Sequence, residues 1–384
     1  MLTCYNPKDE QRFLRMGRFD PAEPSCALWW SGSGLRTQID CSRLELEAEV
    51  AEAEHTPWLA VTVDGAPVAR LPLMAGRHRY ALLEGMERGF AHEVAVTRDT
   101  QPCDSDAGPL LLRAVYSDGE PHAPTPRPTL IEFIGDSLTV GEGCVGPVGA
   151  MEWRMAWISN LFAYPTLVSE RLNAEKRVIA LGGWGVWRSW DSNPDCAIGR
   201  IYDRLCAVVP GGDIPCDFSQ EDSLRVALKD SLRVALKDSL RVALKDSLRV
   251  AAHWQPDAVV INLGTNDASA LNALAPTDRP AMQAEITHCA LSLIRQVRGH
   301  APHAVILWAY GMCGDPLKDC LRAAVEQAQA EGDERVAWLA LENPKGLASR
   351  RCDDAMGSRN HPGRKAHQSA AKQIADALIR WGVS

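Results

Sequence analysis

A serine, a glycine block, an amide-bearing turn and a histidine follow one another along this chain in an order that suits acyl transfer. Ile131-Glu132-Phe133-Ile134-Gly135-Asp136-Ser137-Leu138 reads as an apolar strand ending in a tight turn that presents the Ser137 hydroxyl. Gly182-Gly183-Trp184-Gly185, Gly264-Thr265-Asn266-Asp267 and His361-Pro362 come after it. A serine hydroxyl is a weak nucleophile until a base takes its proton, and the transition state needs preorganised donors aimed at the developing oxyanion. Ser137 is therefore the candidate nucleophile. Its own N–H, the Gly183 N–H and the Asn266 side-chain amide are the candidate oxyanion hole, and His361 is the candidate base that returns the proton to the leaving oxygen.

Each block also has a plainer reading. A serine after a strand commonly caps the next helix, glycines make loops, and asparagine satisfies turn backbones. The four together select the chemistry. Asp136 is expected to stabilise its turn, and His367, inside a helical stretch, is expected to pack or hydrogen-bond. Of Trp184, Trp187 and Trp190, at least one is expected in the core, and Trp184 is the candidate for substrate binding.

The elements that must position these residues change character midway. From about 20 to 120, short runs alternate apolar and polar residues. Leu44, Leu46, Ala48 and Val50 share one face and Glu45, Glu47 and Glu49 the other, and Trp58–Val63 runs into the hairpin signal Asp64-Gly65. Val68 to Leu73, His92 to Thr97 and Leu110 to Tyr116 continue the pattern, which predicts a β-sandwich over residues 1–120. Pro121, Pro124, Pro126 and Pro128 mark a linker over 121–129. From 130 to 384, strand-like runs alternate with helical patterns, predicting an α/β domain with a parallel sheet covered on both faces. Ser137, Gly183 and Asn266 each follow such a strand, where open α/β sheets place their ligand crevice.

An octad, Asp-Ser-Leu-Arg-Val-Ala-Leu-Lys, recurs over 222–253. Eight residues advance a helix about 80° beyond two turns, so its apolar stripe spirals, and we expect a helical surface insertion without a binding role.

The composition narrows the partners. The 384 residues carry 41 Lys and Arg against 49 Asp and Glu, a net charge of −8, which offers no global attraction for nucleic acid or an anionic membrane. The 12 cysteines show no metal-ligand spacing, so free thiols are expected and no metal. Charges near Met1 stand where a secretory signal needs its apolar run, and no segment approaches membrane-spanning length. A cytoplasmic protein is expected. Oligomeric state is not legible.

The four blocks resemble the SGNH branch of the GDSL hydrolases. More narrowly, Gly182–Trp190, Trp308-Ala-Tyr-Gly-Met-Cys-Gly314 and His361-Pro-x4-His367 resemble carbohydrate esterase family two. That resemblance implies an N-terminal jelly-roll joined to a three-layer, flavodoxin-like SGNH hydrolase domain. It also implies removal of acetyl groups from plant polysaccharides such as xylan and mannan, with an acetylated oligosaccharide as substrate and no cofactor.

A lipid or aryl esterase, or a non-catalytic carbohydrate-binding protein, are the alternative readings. The chain departs from the pattern where an aspartate commonly precedes the histidine by three or two residues, because Ser358 and Arg359 stand there. Asp353 and Asp354 lie farther upstream. We expect a Ser–His dyad, with a backbone carbonyl orienting the imidazole.

Overall fold

The computed structural model describes residues 1–20, 23–216, 255–342 and 355–383. The octad repeat, Asp353 and Asp354 lie outside the described residues. The first part of the chain folds into strands β1 (Thr3–Tyr5), β2 (Leu14–Met16), β3 (Cys26–Leu28), β4 (Gly34–Ile39), β5 (Arg43–Val50), β6 (Trp58–Val63), β7 (Ala66–Pro72), β8 (Gly76–Glu84), β9 (His92–Arg98) and β10 (Leu110–Ser117). One antiparallel sheet runs β1-β10-β5-β8 with β3 also on β10, and the other runs β2-β4-β9-β6-β7.

The alternation in β5 works as its period requires. Leu44, Leu46 and Ala48 join Leu35, Leu59, Val61, Val94 and Leu112 in the core between the two sheets. The hairpin between β6 and β7 is closed by Asp64 and Gly65, both at positive φ. The sandwich begins earlier than the alternation alone suggested. Strands β1 and β2 are only three residues long, too short to show a period.

The second part carries a parallel sheet of β11 (Thr129–Gly135), β12 (Ala174–Ala180), β13 (Ala258–Asn262), β14 (Val305–Tyr310) and β15 (Val336–Ala340), in the order β12-β11-β13-β14-β15. The helices are α1 (Ser137–Val140), α2 (Tyr164–Arg171), α3 (Thr265–Asn272), α4 (Arg279–His300), α5 (Lys318–Ala330) and α6 (Arg364–Arg380). Strand residues alternate between two cores. Ile134, Ile179, Ile261 and Trp308 pack with α4 and α5, while Phe133, Val178, Val260 and Leu307 pack with α2 and α6. Burial on both faces explains why β13 and β14 read as almost continuous apolar runs. The chain leaves β11 for β12 on one side and returns to β13 on the other. A crevice is thereby left above the carboxyl ends of the central strands.

Two buried polar networks join the sandwich to this sheet. Arg18 meets Glu132 of β11 at 3.3 Å, Arg177 of β12 meets the same carboxylate at 3.1 Å, and the Tyr202 hydroxyl donates to it at 2.6 Å. Burial alone would raise the Glu132 carboxyl, but the two guanidinium groups hold it below its usual range. Nearer the crevice, the fully buried Asp99 accepts from Arg70 Nε at 2.6 Å, from the Ser159 hydroxyl at 2.9 Å and from the Leu161 N–H at 2.8 Å. Asp99→Ala strands three donors around a buried position, and a loss of about 3–5 kcal/mol of unfolding free energy is expected in chemical denaturation. A change below about 1 kcal/mol would mean that the junction is wet.

Candidate functional site

Ser137 is the first residue of α1, directly beyond β11. Asp136 occupies the N-cap, and its Oδ1 accepts from the Leu138 N–H at 3.0 Å, so the expected turn role is what the structure displays. Burial pushes the Asp136 carboxyl up to about 8, with Asp267 and Glu142 adding repulsion.

His361 stands in the loop that enters α6, with its Nε2 3.0 Å from Ser137 Oγ. Its Nδ1 lies 3.0 Å from the main-chain oxygen of Arg359. A carbonyl has no proton to give, so Nδ1 is the donor and Nε2 faces the serine as an acceptor. The aspartate missing from the sequence is thus matched by a backbone acceptor at the required nitrogen.

This alignment uses unusual backbone. Arg359 and Asn360 both have positive φ, 53° and 56°, a region that costs a side chain such as arginine about 1–2 kcal/mol and asparagine less. The Arg359 N–H donates to Ala150 O at 2.7 Å, and His361 N–H donates to Ser358 O at 3.0 Å. The loop also packs backbone to backbone on the turn after α1. A Cβ at Gly143 would come within 2.7 Å of His361 Cβ, and one at Gly357 within 1.8 Å of Gly143 O.

Gly183 has φ +85° in the turn that follows β12, and its N–H has no acceptor among the described residues. Asn266 opens α3 beyond β13, and its amide donates to Trp184 O at 2.7 Å and lies 3.3 Å from Asp136 Oδ2. The amide therefore ties the glycine block to the end of the neighbouring strand. Trp187 is core, the Trp184 ring is half-buried against the same core, and Trp190 is 61% exposed. Trp190 lies against Gly183, since a Cβ there would be 3.1 Å from its ring.

His367 is buried, accepts from the Tyr164 N–H at 3.2 Å and stacks on the Tyr164 ring. Burial pushes it down to about 3, so it stays neutral and structural. No group of three His, Cys, Asp or Glu suited to a metal occurs among the described residues.

Three further residues shape the site and escaped the sequence. Asp267 accepts from the N–H groups of Val186, Trp187 and Arg188 at 3.0, 2.7 and 3.1 Å, pinning the loop of the glycine block to α3. Gln101, from the sandwich, accepts from the Gly182 N–H at 2.8 Å. Glu142 is buried beside Arg359 and His361. A hint of Asp267 was present as the fourth residue of Gly-Thr-Asn-Asp, whereas Gln101 sits 81 residues from its partner with no local pattern.

The comparisons with known proteins bear on the fold that carries these residues. Residues 15–126 match the family described as carbohydrate esterase 2 N-terminal. An acetyl xylan esterase from the rumen bacterium Butyrivibrio proteoclasticus superposes with a TM-score of 0.81 over 99% of each chain at 26% identity. A family two carbohydrate esterase from Clostridium thermocellum, solved with cellohexaose, has the same fold, with a TM-score of 0.77 over 97% of this chain and 100% of that one at 22% identity. A cellulase/esterase of Acetivibrio thermocellus is 25% identical over 96% of this chain and 39% of its own length. An acetylxylan esterase / glucomannan deacetylase of Cellvibrio japonicus is 26% identical over 46% of this chain and 48% of its own. The chain spans less than half the length of the curated relatives it matches.

Two outcomes follow from the site's polar contacts. Gln101→Leu removes the acceptor for Gly182 beside Gly183, and a roughly tenfold fall in kcat with KM little changed is expected in steady-state ester hydrolysis. An unchanged kcat would show that the loop holds without it.

The second concerns pH. A carboxyl raised by folding contributes stability below its unfolded value that is lost as pH rises through the folded one, so Asp136 weakens the fold between pH about 4 and 8. Asp136→Asn removes that slope. Its unfolding free energy relative to the parent should rise with pH across this window, and a flat difference would contradict the assignment.

Proposed function

We propose that this chain is a family-two carbohydrate esterase, a carboxylic ester hydrolase that removes O-linked acetyl groups from plant-type oligosaccharides derived from xylan or mannan. The observation that carries the reading is the alignment of Arg359 O, His361 and Ser137 through two 3.0 Å contacts at the carboxyl edge of the sheet.

In the proposed reaction His361 Nε2 takes the Ser137 proton as Oγ attacks the acetyl carbonyl carbon. The carbonyl oxygen becomes an oxyanion held by the N–H groups of Ser137 and Gly183 and by the Asn266 amide. Collapse breaks the bond to the sugar oxygen, which receives the proton from the imidazolium. Water then attacks the acetyl-serine with His361 again as base, releasing acetate and restoring the hydroxyl. Asn266 Nδ2 donates one hydrogen to Trp184 O at 2.7 Å and the other to Asp136 Oδ2 at 3.3 Å, so for Asn266 to act its amide must turn the longer of the two bonds to the oxyanion. Trp190, exposed against Gly183, and the half-buried Trp184 next to that glycine in sequence are the aromatic rings available to a sugar.

The acetylxylan esterase and glucomannan deacetylase relatives support a carbohydrate ester as substrate. The test is hydrolysis of acetylated xylo- and manno-oligosaccharides by the parent, Ser137→Ala and Asn266→Ala. The parent should release acetate, Ser137→Ala should not, and Asn266→Ala should lose about a hundredfold to a thousandfold in kcat. Acetate release that survives Ser137→Ala would sink the reading, and a preference for long acyl chains would move it to a lipid esterase.

A further inference from the structure

A single buried carboxylate reaches the histidine loop at two points. Glu142 lies in the turn after α1, buried, with its own N–H donating to Ser137 O at 2.9 Å. Its Oε1 accepts from the Arg359 guanidinium, and its Oε2 stands 3.8 Å from His361 Nε2, beyond hydrogen-bond distance. The same Arg359 supplies the main-chain oxygen that accepts from His361 Nδ1. Side chain and backbone of one residue are thus held by different partners, across a peptide in left-handed conformation.

Such a conformation persists only where surrounding contacts over-determine it. Its contacts here are the Arg359 N–H to Ala150 O and the ion pair with Glu142. We infer that Glu142 is a positioning residue for the Ser–His dyad. By gripping the Arg359 side chain it anchors the peptide whose oxygen keeps the proton on Nδ1 and leaves Nε2 to Ser137. Arg359 in turn holds Glu142 Oε1, so the carboxylate does not swing onto Nε2 and compete with the serine. Glu142 and Arg359 therefore act as one unit.

This inference rests on the esterase reading, and its test has one arm that needs no substrate. Arg359→Ala keeps the main-chain oxygen and removes only the grip. Glu142→Gln keeps the volume and removes the charge. With 4-nitrophenyl acetate as probe, each should lower kcat about tenfold to a hundredfold with KM within about twofold, as expected when a catalytic group is misplaced by a fraction of an ångström. The double variant should be no worse than the weaker single one within about threefold, and Arg359→Lys should recover much of the loss.

In parallel, nitrogen NMR of the labelled His361 imidazole, assigned by its disappearance in His361→Gln, should show the proton on Nδ1 in the parent and a mixed population in Arg359→Ala. Losses that multiply in the double variant, or a parent-like tautomer with kcat within twofold in Arg359→Ala, would overturn the inference. Should Arg359→Ala not fold, Arg359→Lys and Glu142→Gln carry the same comparison. A parent without esterase activity but with the predicted tautomer change would instead remove the functional reading and leave the positioning role standing.

Discussion

The hydrogen bond from His361 Nδ1 to the Arg359 carbonyl is the contact on which the site depends. An imidazole can serve a nucleophile only if its proton is on the far nitrogen and its ring is turned toward the hydroxyl. A carboxylate usually meets both needs and also favours the imidazolium that forms. A carbonyl meets the first two through geometry and brings less charge. The surrounding structure therefore has to make orientation strict. Two successive left-handed residues, the close approach of Gly143 and Gly357, and the Ala150 acceptor all restrict the same short loop.

That strictness extends across the boundary between the two folds. The sandwich is often pictured in such architectures as an accessory, yet here it supplies buried parts of the crevice. Asp99 organises Ser159 and Leu161 beneath the turn after α1, and Gln101 reaches Gly182 next to Gly183. Arg18 reaches the Glu132 carboxylate in the middle of β11. Unpaired, each of these polar or charged groups would be costly to bury, so the networks favour one relative placement of sandwich and sheet over sliding alternatives. In the proposed reaction the donors are thereby set before substrate arrives, which is what oxyanion stabilisation requires.

Much of this was legible in the chain because it is local. The alternation of β5, the Asp64-Gly65 hairpin, the apolar run of β11 and the placement of Ser137 and Asn266 after strands all follow from periods and turn chemistry within a few residues. The structural role of His367 followed from its place inside a helix. The rest depends on pairs far apart in sequence. Gln101 with Gly182 and Glu142 with Arg359 have no local signature, since glutamine and glutamate at those places read as ordinary polar residues, and the Gly-Thr-Asn-Asp block that flags Asp267 gives no sign of its partners at 186–188. Nor does any pattern mark Arg359 as left-handed, because it is not glycine and contacts from distant residues, Ala150 O and Glu142, hold it there; Asn360 is of a type that tolerates this region without requiring it. Among the three tryptophans, composition predicted one in the core but could not choose Trp187 or set Trp190 outward.

Acyl transfer to Ser137 is the central claim, and trapping the intermediate tests it most directly. The protein is mixed with an activated acetate ester, quenched in acid within the first turnover, digested and examined by mass spectrometry. The account predicts one added acetyl group on the peptide containing Ser137 in the parent, and its accumulation in His361→Ala if the slow step becomes attack by water. Ester consumed over many turnovers with Ser137 never acetylated, or an acetyl group found on another residue instead, would contradict it.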